Sequence, residues 1–229
     1  MADHPVLQGL YPFLHGPRGA GALDAALVAS LRQKVTHHRD VIDAFFAAHA
    51  PAVIAAAGAI AGVPRRGGRL YTMGNGGSRC DAAHLAVEFL HPVTTGRPAL
   101  TAIDLSADAT MLTAVGNDVG FAHVFSRQVT ALCRAGDGLV GISTSGNSEN
   151  LLLAFARAKE LGVVTIALTG KTGGALAALD LDHCLVVETD SIHRIQECHV
   201  VIYHLLWDLV HTLLADDRGA ARAAGKGAP

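Results

Sequence analysis

The chain has 229 residues, of which 50% are hydrophobic and 17% charged, and it carries a formal net charge of −2. That composition suits one generous domain with a substantial core and excludes general disorder. The near-neutral balance gives no global electrostatic reason to hold nucleic acid or an anionic membrane, so any bound anion must be held locally.

The first residues, MADHPVLQGLYPFLHG, lack a basic stretch followed by a continuous apolar run, and residues 1–22 read as an N-terminal extension. No segment approaches the roughly 18 apolar residues of a transmembrane helix, so the expectation is a protein neither secreted nor embedded. From Leu23 to Ile60 the chain is rich in Ala, Leu and Val with charges at intervals, which reads as two helices with a break near Asp40. Gly67 and Gly68 then punctuate the chain, and RLYTM leads into GNGGS, a strand feeding a glycine turn.

Further apolar runs at Ala99–Ile103, Leu139–Ile142, Val163–Leu168 and Cys184–Val187 are separated by stretches of helical patterning. Strands alternating with helices predict an α/β fold with a mostly parallel, five-stranded sheet covered on both faces. Ser191 to Leu214 reads as a last, buried amphipathic helix, and residues 216–229 as a loose tail, leaving residues 23–215 as the domain. Cys80, Cys133, Cys184 and Cys198 show no C-x-x-C spacing, so neither a disulfide framework nor a cysteine zinc site is expected, and a reducing cytoplasm fits.

In an open parallel sheet, ligands gather where strands end and helices begin, because backbone N–H groups and helix dipoles converge there. Gly74-Asn75-Gly76-Gly77-Ser78 stands at such a place: its glycines let the main chain approach a ligand, and Ser78 can cap the next helix. A tight strand-to-helix turn explains the same residues. Ser143-Thr144-Ser145-Gly146-Asn147-Ser148 follows the strand LVGI and precedes ENLLLAFARAKEL. Four hydroxyls around one glycine at a helix N-terminus are neutral donors suited to a phosphate dianion; a capping role for Ser148 leaves the other hydroxyls unemployed. Neither loop is a G-x-x-x-x-G-K-S/T nucleotide loop, and no G-x-G-x-x-G with an acidic ribose ligand is evident.

His84 and Glu88 lie four residues apart on the next helix, so both side chains share one face and can hold a divalent metal or form an ordinary surface pair. The last helix offers Gln196 and His204 beside His193, His199 and His211. Eight residues of helix separate Gln196 from His204 by roughly 12 Å, so one ion reaches both only if they lean strongly together or belong to sites shared between chains.

The runs GNGGSRCDAAHLAVEFL, VGNDVGFAHVFSRQV, GDGLVGISTSGNSENLLLAFARAKELGVVTIALTGKTGG and RIQECHVVIYHLLWDLV together resemble the bacterial phosphoheptose isomerases, which belong to the sugar isomerase (SIS) fold. The similarity spans about residues 25 to 214 in the same order. It implies a three-layer α/β/α sandwich with extra N-terminal helices. It implies Asn75, Gly76 and Gly77, Asn117 and Asp118, and Ser143, Thr144, Ser145 and Ser148 as substrate-binding positions, and His84, Glu88, Gln196 and His204 as ligands of Zn2+. It also implies Glu88 and His204 as the acid–base pair, Gln196 as a substrate contact, and a homotetramer with active sites between subunits. The implied reaction converts sedoheptulose 7-phosphate to D-glycero-D-manno-heptose 7-phosphate by moving a proton between neighbouring carbons.

Three positions depart from the family pattern: Arg79 stands where His is usual, His193 where Asp is usual, and only Arg97 follows the metal-binding helix where several arginines are usual. Two other functions share these loops: isomerisation of a different phosphosugar, and non-catalytic binding of the kind that promotes assembly of a replication initiator on DNA. In that binding branch the groups matching Glu88 and His204 are replaced, whereas this chain retains both.

Overall fold

The computed structural model describes the backbone of residues 20–225 and the side chains of residues 24–215. The chain forms two units, one ending at Arg39 and one from Asp40 onward. Most of the expected N-terminal extension, up to position 19, lies outside the described residues.

Helix α1 (Ala20–Arg65) is continuous, which corrects the expected break near Asp40. The polar run His37-His38-Arg39-Asp40 contains neither glycine nor proline, and a run of charge without a breaker does not end a helix. Even Pro51, inside the helix, does not terminate it. There follow β1 (Leu70–Gly74), α2 (Gly77–Leu90), β2 (Ala102–Asp104), α3 (Ala109–Asp118), a single 3₁₀ turn (Phe121–His123), α4 (Val124–Leu132), β3 (Gly138–Ser143), α5 (Glu149–Glu160), β4 (Val164–Gly170), α6 (Gly174–Ala178), β5 (His183–Val187) and α7 (Ile192–Gly225). The helix α7 continues through much of the stretch expected to be a loose tail.

The five strands are all parallel, in the order β2-β1-β3-β4-β5. The expected strand at Ala99–Ile103 begins later, at Ala102. The backbone before it is already committed, Leu100 N–H to the Phe89 carbonyl at 2.8 Å and Thr101 carbonyl to Leu70 N–H at 3.0 Å.

Alternation along each strand builds two cores, one on each face of the sheet. Leu70, Val140, Ile142, Ile166, Leu168, Leu185 and Val187 face α1, α2 and α7. Tyr71, Met73, Leu139 and Ala167 face the layer of α3, α4, α5 and α6. Burial on both faces explains why the strands read as apolar runs rather than alternating ones. Two stretches, Asp24–Arg65 and Ile192–Ala215, are long and apolar enough by length and composition to cross a bilayer, which corrects the expectation that none is. The second owes that character to its role as a core helix, with Ile195, Cys198, Ile202, Leu206 and Val210 buried.

Candidate active site

The sheet changes direction of winding between β1 and β3: from β1 the chain moves to β2 on one side, and from β3 to β4 on the other. The carboxyl ends of such a strand pair open a crevice, and both glycine- and serine-bearing loops lie there, Asn75-Gly76 after β1 and Ser143–Ser148 after β3. They are tied to each other. Asn75 Nδ2 donates to Asn150 Oδ1 at 2.9 Å, and Asn150 Nδ2 donates back to Asn75 Oδ1 at 3.0 Å.

Neither helix that leaves the crevice is capped by a side chain. Gly76 is the cap residue of α2, with φ +55, and Ser148 that of α5, both without a side-chain cap bond. This corrects the expected capping role of Ser78, which is buried in the first turn of α2 instead. The Ser148 hydroxyl lies 3.1 Å from the Ser143 hydroxyl, which in turn accepts from Gly146 N–H at 3.2 Å. Of the first amides of α5, Leu151 N–H already donates to the Ser148 carbonyl at 3.0 Å, which leaves those of Glu149 and Asn150 for a ligand.

The loop is held in shape from behind. Gly146 adopts φ +66, and a Cβ there would overlap the Gly173 carbonyl oxygen. Asn147 fastens the same turn, its Nδ2 donating to the Ser145 carbonyl at 3.1 Å and its Oδ1 accepting from Ala175 N–H at 2.8 Å. Thr144 and Ser145 are half-buried, on the crevice side of a strand end that is itself buried at Ser143. Asn117 and Asp118 are exposed at the end of α3, with Asn117 Nδ2 donating to Asp118 Oδ1 at 2.7 Å.

The second half of the site lies between α2 and α7, which run side by side in the same direction. Their contacts keep a constant offset: His84 meets Tyr203, and Trp207 Nε1 donates to the Glu88 carbonyl at 2.8 Å, each pair 119 positions apart. This register brings His84, Glu88 and His204 together, with one ligand atom of each within 4.8 Å of the others. His84 Nε2 is 3.1 Å from Glu88 Oε1, and the His84 and His204 rings meet edge to face at 5.1 Å. The His84 side chain is 44% exposed and that of Glu88 19%, so the group is open to a ligand. Two imidazoles and a carboxylate in one mouth are a donor set that fits a divalent transition metal with coordination positions left open.

Gln196 is placed elsewhere in the chain. Its amide lies against Gly77, at a point where any side chain would collide with it. About 10 Å of helix rise separates Gly77 from His84, so within one chain His84, Glu88 and His204 converge while Gln196 lies against Gly77.

Two groups beside the trio carry no signal in a sequence motif. Asp81 shares the α2 face of Gly77 and His84, and among the described residues its Oδ2 has no hydrogen-bond partner. Burial pushes its carboxyl up to about 6, against the pull of His84. Tyr203, 1% exposed, sets its hydroxyl 2.7 Å from His84 Nδ1. Burial, reinforced by Asp81 and Glu88, holds that hydroxyl above its ordinary pKa, so it stays protonated.

The three departures from the family pattern have definite places. Arg79 is exposed and donates to the Ser106 carbonyl at 3.4 Å. His193 is exposed at the start of α7. Arg97 stacks 4.3 Å above the Trp207 ring and pairs with Asp208 at 2.5 Å, bracing the segment after α2 against α7.

A doubly wound parallel sheet with a serine-rich loop at its switch point and a His-Glu-His group beside it is an α/β arrangement suited to an anionic ligand, and the SIS domain family matches residues 35–170. The phosphoheptose isomerase of Desulfovibrio desulfuricans is 46% identical over 188 residues, 80% of this chain and 89% of that protein. Among solved structures, a phosphoheptose isomerase from Francisella tularensis superposes with a TM-score of 0.78 at 37% identity, over 81% of this chain and 98% of that one. One from Neisseria gonorrhoeae gives 0.76 at 38% identity, over 81% and 99%. The chain belongs to the phosphoheptose isomerase family of SIS-domain proteins.

Proposed function

We infer that this protein is an aldose–ketose isomerase that converts sedoheptulose 7-phosphate to D-glycero-D-manno-heptose 7-phosphate. The observation that carries the reading is the convergence of His84, Glu88 and His204 beside the crevice that holds the serine loop. A ketose with its carbonyl at one end and its phosphate at the other needs an anion cradle and a proton-moving pair set apart from each other. About 10 Å of α2 lies between the glycine turn and His84, which provides that separation.

Ser143, Thr144, Ser145 and Ser148, with the open amides of α5, bind the phosphate and fix the sugar's position. Asn75, Gly76 and Gly77 line the other wall of the crevice, with Ser78 behind them. Asn117 and Asp118 complete the substrate contacts from the end of α3. Glu88 and His204 act as base and acid, taking a proton from the hydroxyl-bearing carbon beside the carbonyl and returning one to the former carbonyl carbon through an enediol, while a proton also shifts between the two oxygens. His84, Glu88 and His204 hold zinc, with Gln196 as the fourth ligand. When bound, the metal polarises the carbonyl and stabilises negative charge on its oxygen.

A homotetramer with sites between subunits gives Gln196 of one chain a route to the trio of another. Leu27, Leu31 and Val35, exposed at helical spacing on the N-terminal unit, support such self-association. The four free cysteines support a reducing, cytoplasmic setting.

The test is turnover. Zinc-loaded protein is assayed with sedoheptulose 7-phosphate and with other ketose phosphates, and again after chelation. Activity with the heptulose that disappears on chelation is the expected result. Turnover of another sugar alone moves the substrate, and no turnover by folded, zinc-loaded protein refutes the enzymatic reading in favour of a binding role.

A further inference from the structure

Each imidazole has two ring nitrogens on different edges, and in His84 they face different partners. Nε2 faces Glu88 Oε1 at 3.1 Å and Nδ1 faces the Tyr203 hydroxyl at 2.7 Å. Nε2 is therefore the nitrogen that faces Glu88, its partner in the group with His204. A neutral imidazole carries one proton, so offering the Nε2 lone pair to a cation requires that proton to sit on Nδ1. A hydroxyl can accept that proton's hydrogen bond, and by rotating can instead donate to a bare Nδ1. Tyr203 thus serves both states of the ring: it donates to Nδ1 while Nε2–H bonds Glu88, and accepts from Nδ1–H once Nε2 is the ligand.

The tyrosine is well held for this. It is 1% exposed and anchored in the core between the sheet and the two helices. Its ring packs edge to face on His84 at 5.4 Å and against His204 at 4.7 Å, so one side chain touches both histidines of the trio. Packing fixes the two rings, and the hydroxyl gives Nδ1 a hydrogen-bond partner whichever nitrogen carries the proton. Outer partners of this kind commonly change metal affinity by about 10- to 100-fold when removed.

We propose that Tyr203 is a positioning residue for the metal centre, its hydroxyl holding the orientation of His84 and accepting from Nδ1–H when Nε2 is the ligand. The proposal rests on the reading of His84, Glu88 and His204 as zinc ligands. Tyr203→Phe keeps the ring contacts and removes only the hydroxyl. The metal-free wild-type protein and this variant are titrated with zinc against a chromophoric chelator, with circular dichroism melts to compare their folds. In parallel, zinc-loaded wild type labelled with ¹⁵N-histidine is examined by NMR, which needs no variant.

The variant is expected to fold as the wild type does and to bind zinc about 10- to 100-fold more weakly. The wild-type His84 is expected to show Nδ1–H with Nε2 bound to metal. Equal zinc affinity in a folded variant overturns the proposal, as does an NMR spectrum with the metal on Nδ1. Wild-type protein that binds no zinc overturns the metal reading itself, which distinguishes the two failures.

Discussion

The amide pair between Asn75 and Asn150 is the most economical test of how the two loops are held. Asn150 is 2% exposed and exchanges two hydrogen bonds with Asn75, of 2.9 and 3.0 Å. Asn150→Ala removes both bonds, at about 1 kcal/mol net each, and leaves the Asn75 amide short of partners. A loss of about 2 kcal/mol is expected, which lowers Tm by about 4–8 °C in a chain of this size. Asn75→Ala should cost about as much, for the same reason seen from the other side. The double variant should cost only about 2–3 kcal/mol, because the second truncation removes a group the first had already orphaned; the coupling is then about 1–2 kcal/mol. Urea unfolding of the four proteins without substrate or metal measures this cycle. Single costs that add to within about 0.5 kcal/mol would refute the claim that the loops are coupled through these side chains.

Other outcomes follow from the same geometry. Gly146→Ala places a Cβ against the Gly173 carbonyl at φ +66 and should cost about 1–3 kcal/mol of strain, raising KM for the phosphosugar more than it lowers kcat in steady-state assays. Glu88→Gln and His204→Gln should each lower kcat by about 10²- to 10⁴-fold while leaving the affinity for inorganic phosphate, measured calorimetrically, unchanged. His199 is wholly buried, its Nε2–H donating to the Thr169 carbonyl at 3.1 Å, and burial pushes its pKa down from 6.5 to about 4. Between those two pH values the unfolded chain binds a proton that the folded chain refuses, so stability should fall as pH drops through that window. His199→Gln should flatten that part of the pH–Tm profile, and an unchanged profile would show that another group governs acid stability.

How much of this was legible in the sequence depends on the range over which each feature is encoded. The serine loop is local: strand, turn and helix start lie in one stretch of chain, and its chemistry was readable because four hydroxyls exceed what one cap can use. The pair His84 and Glu88 is also local, fixed by a single turn of helix. The break expected in α1 failed because charge density is a weaker signal than a missing amide, and even Pro51 did not stop that helix.

What no window of sequence contains is the offset of 119 that sets α2 against α7. That register belongs to two helices that cover the same face of the sheet although their strands, β1 and β5, are separated by β3 and β4, and it is held by apolar side chains such as Phe89, Tyr203 and Leu206. It decides which groups meet. Sliding α7 by one residue would turn its contact face by about 100° and carry His204 away from His84. The same register fixes Gln196 on Gly77 and Tyr203 on His84, one pairing at odds with the motif and one absent from it. A chain that must keep this register to assemble its His-Glu-His group is therefore constrained at apolar positions far from any motif. Substitutions at Phe89 or Leu206 should disturb zinc affinity before they abolish folding, which parallel zinc titrations and thermal melts of conservative variants would reveal.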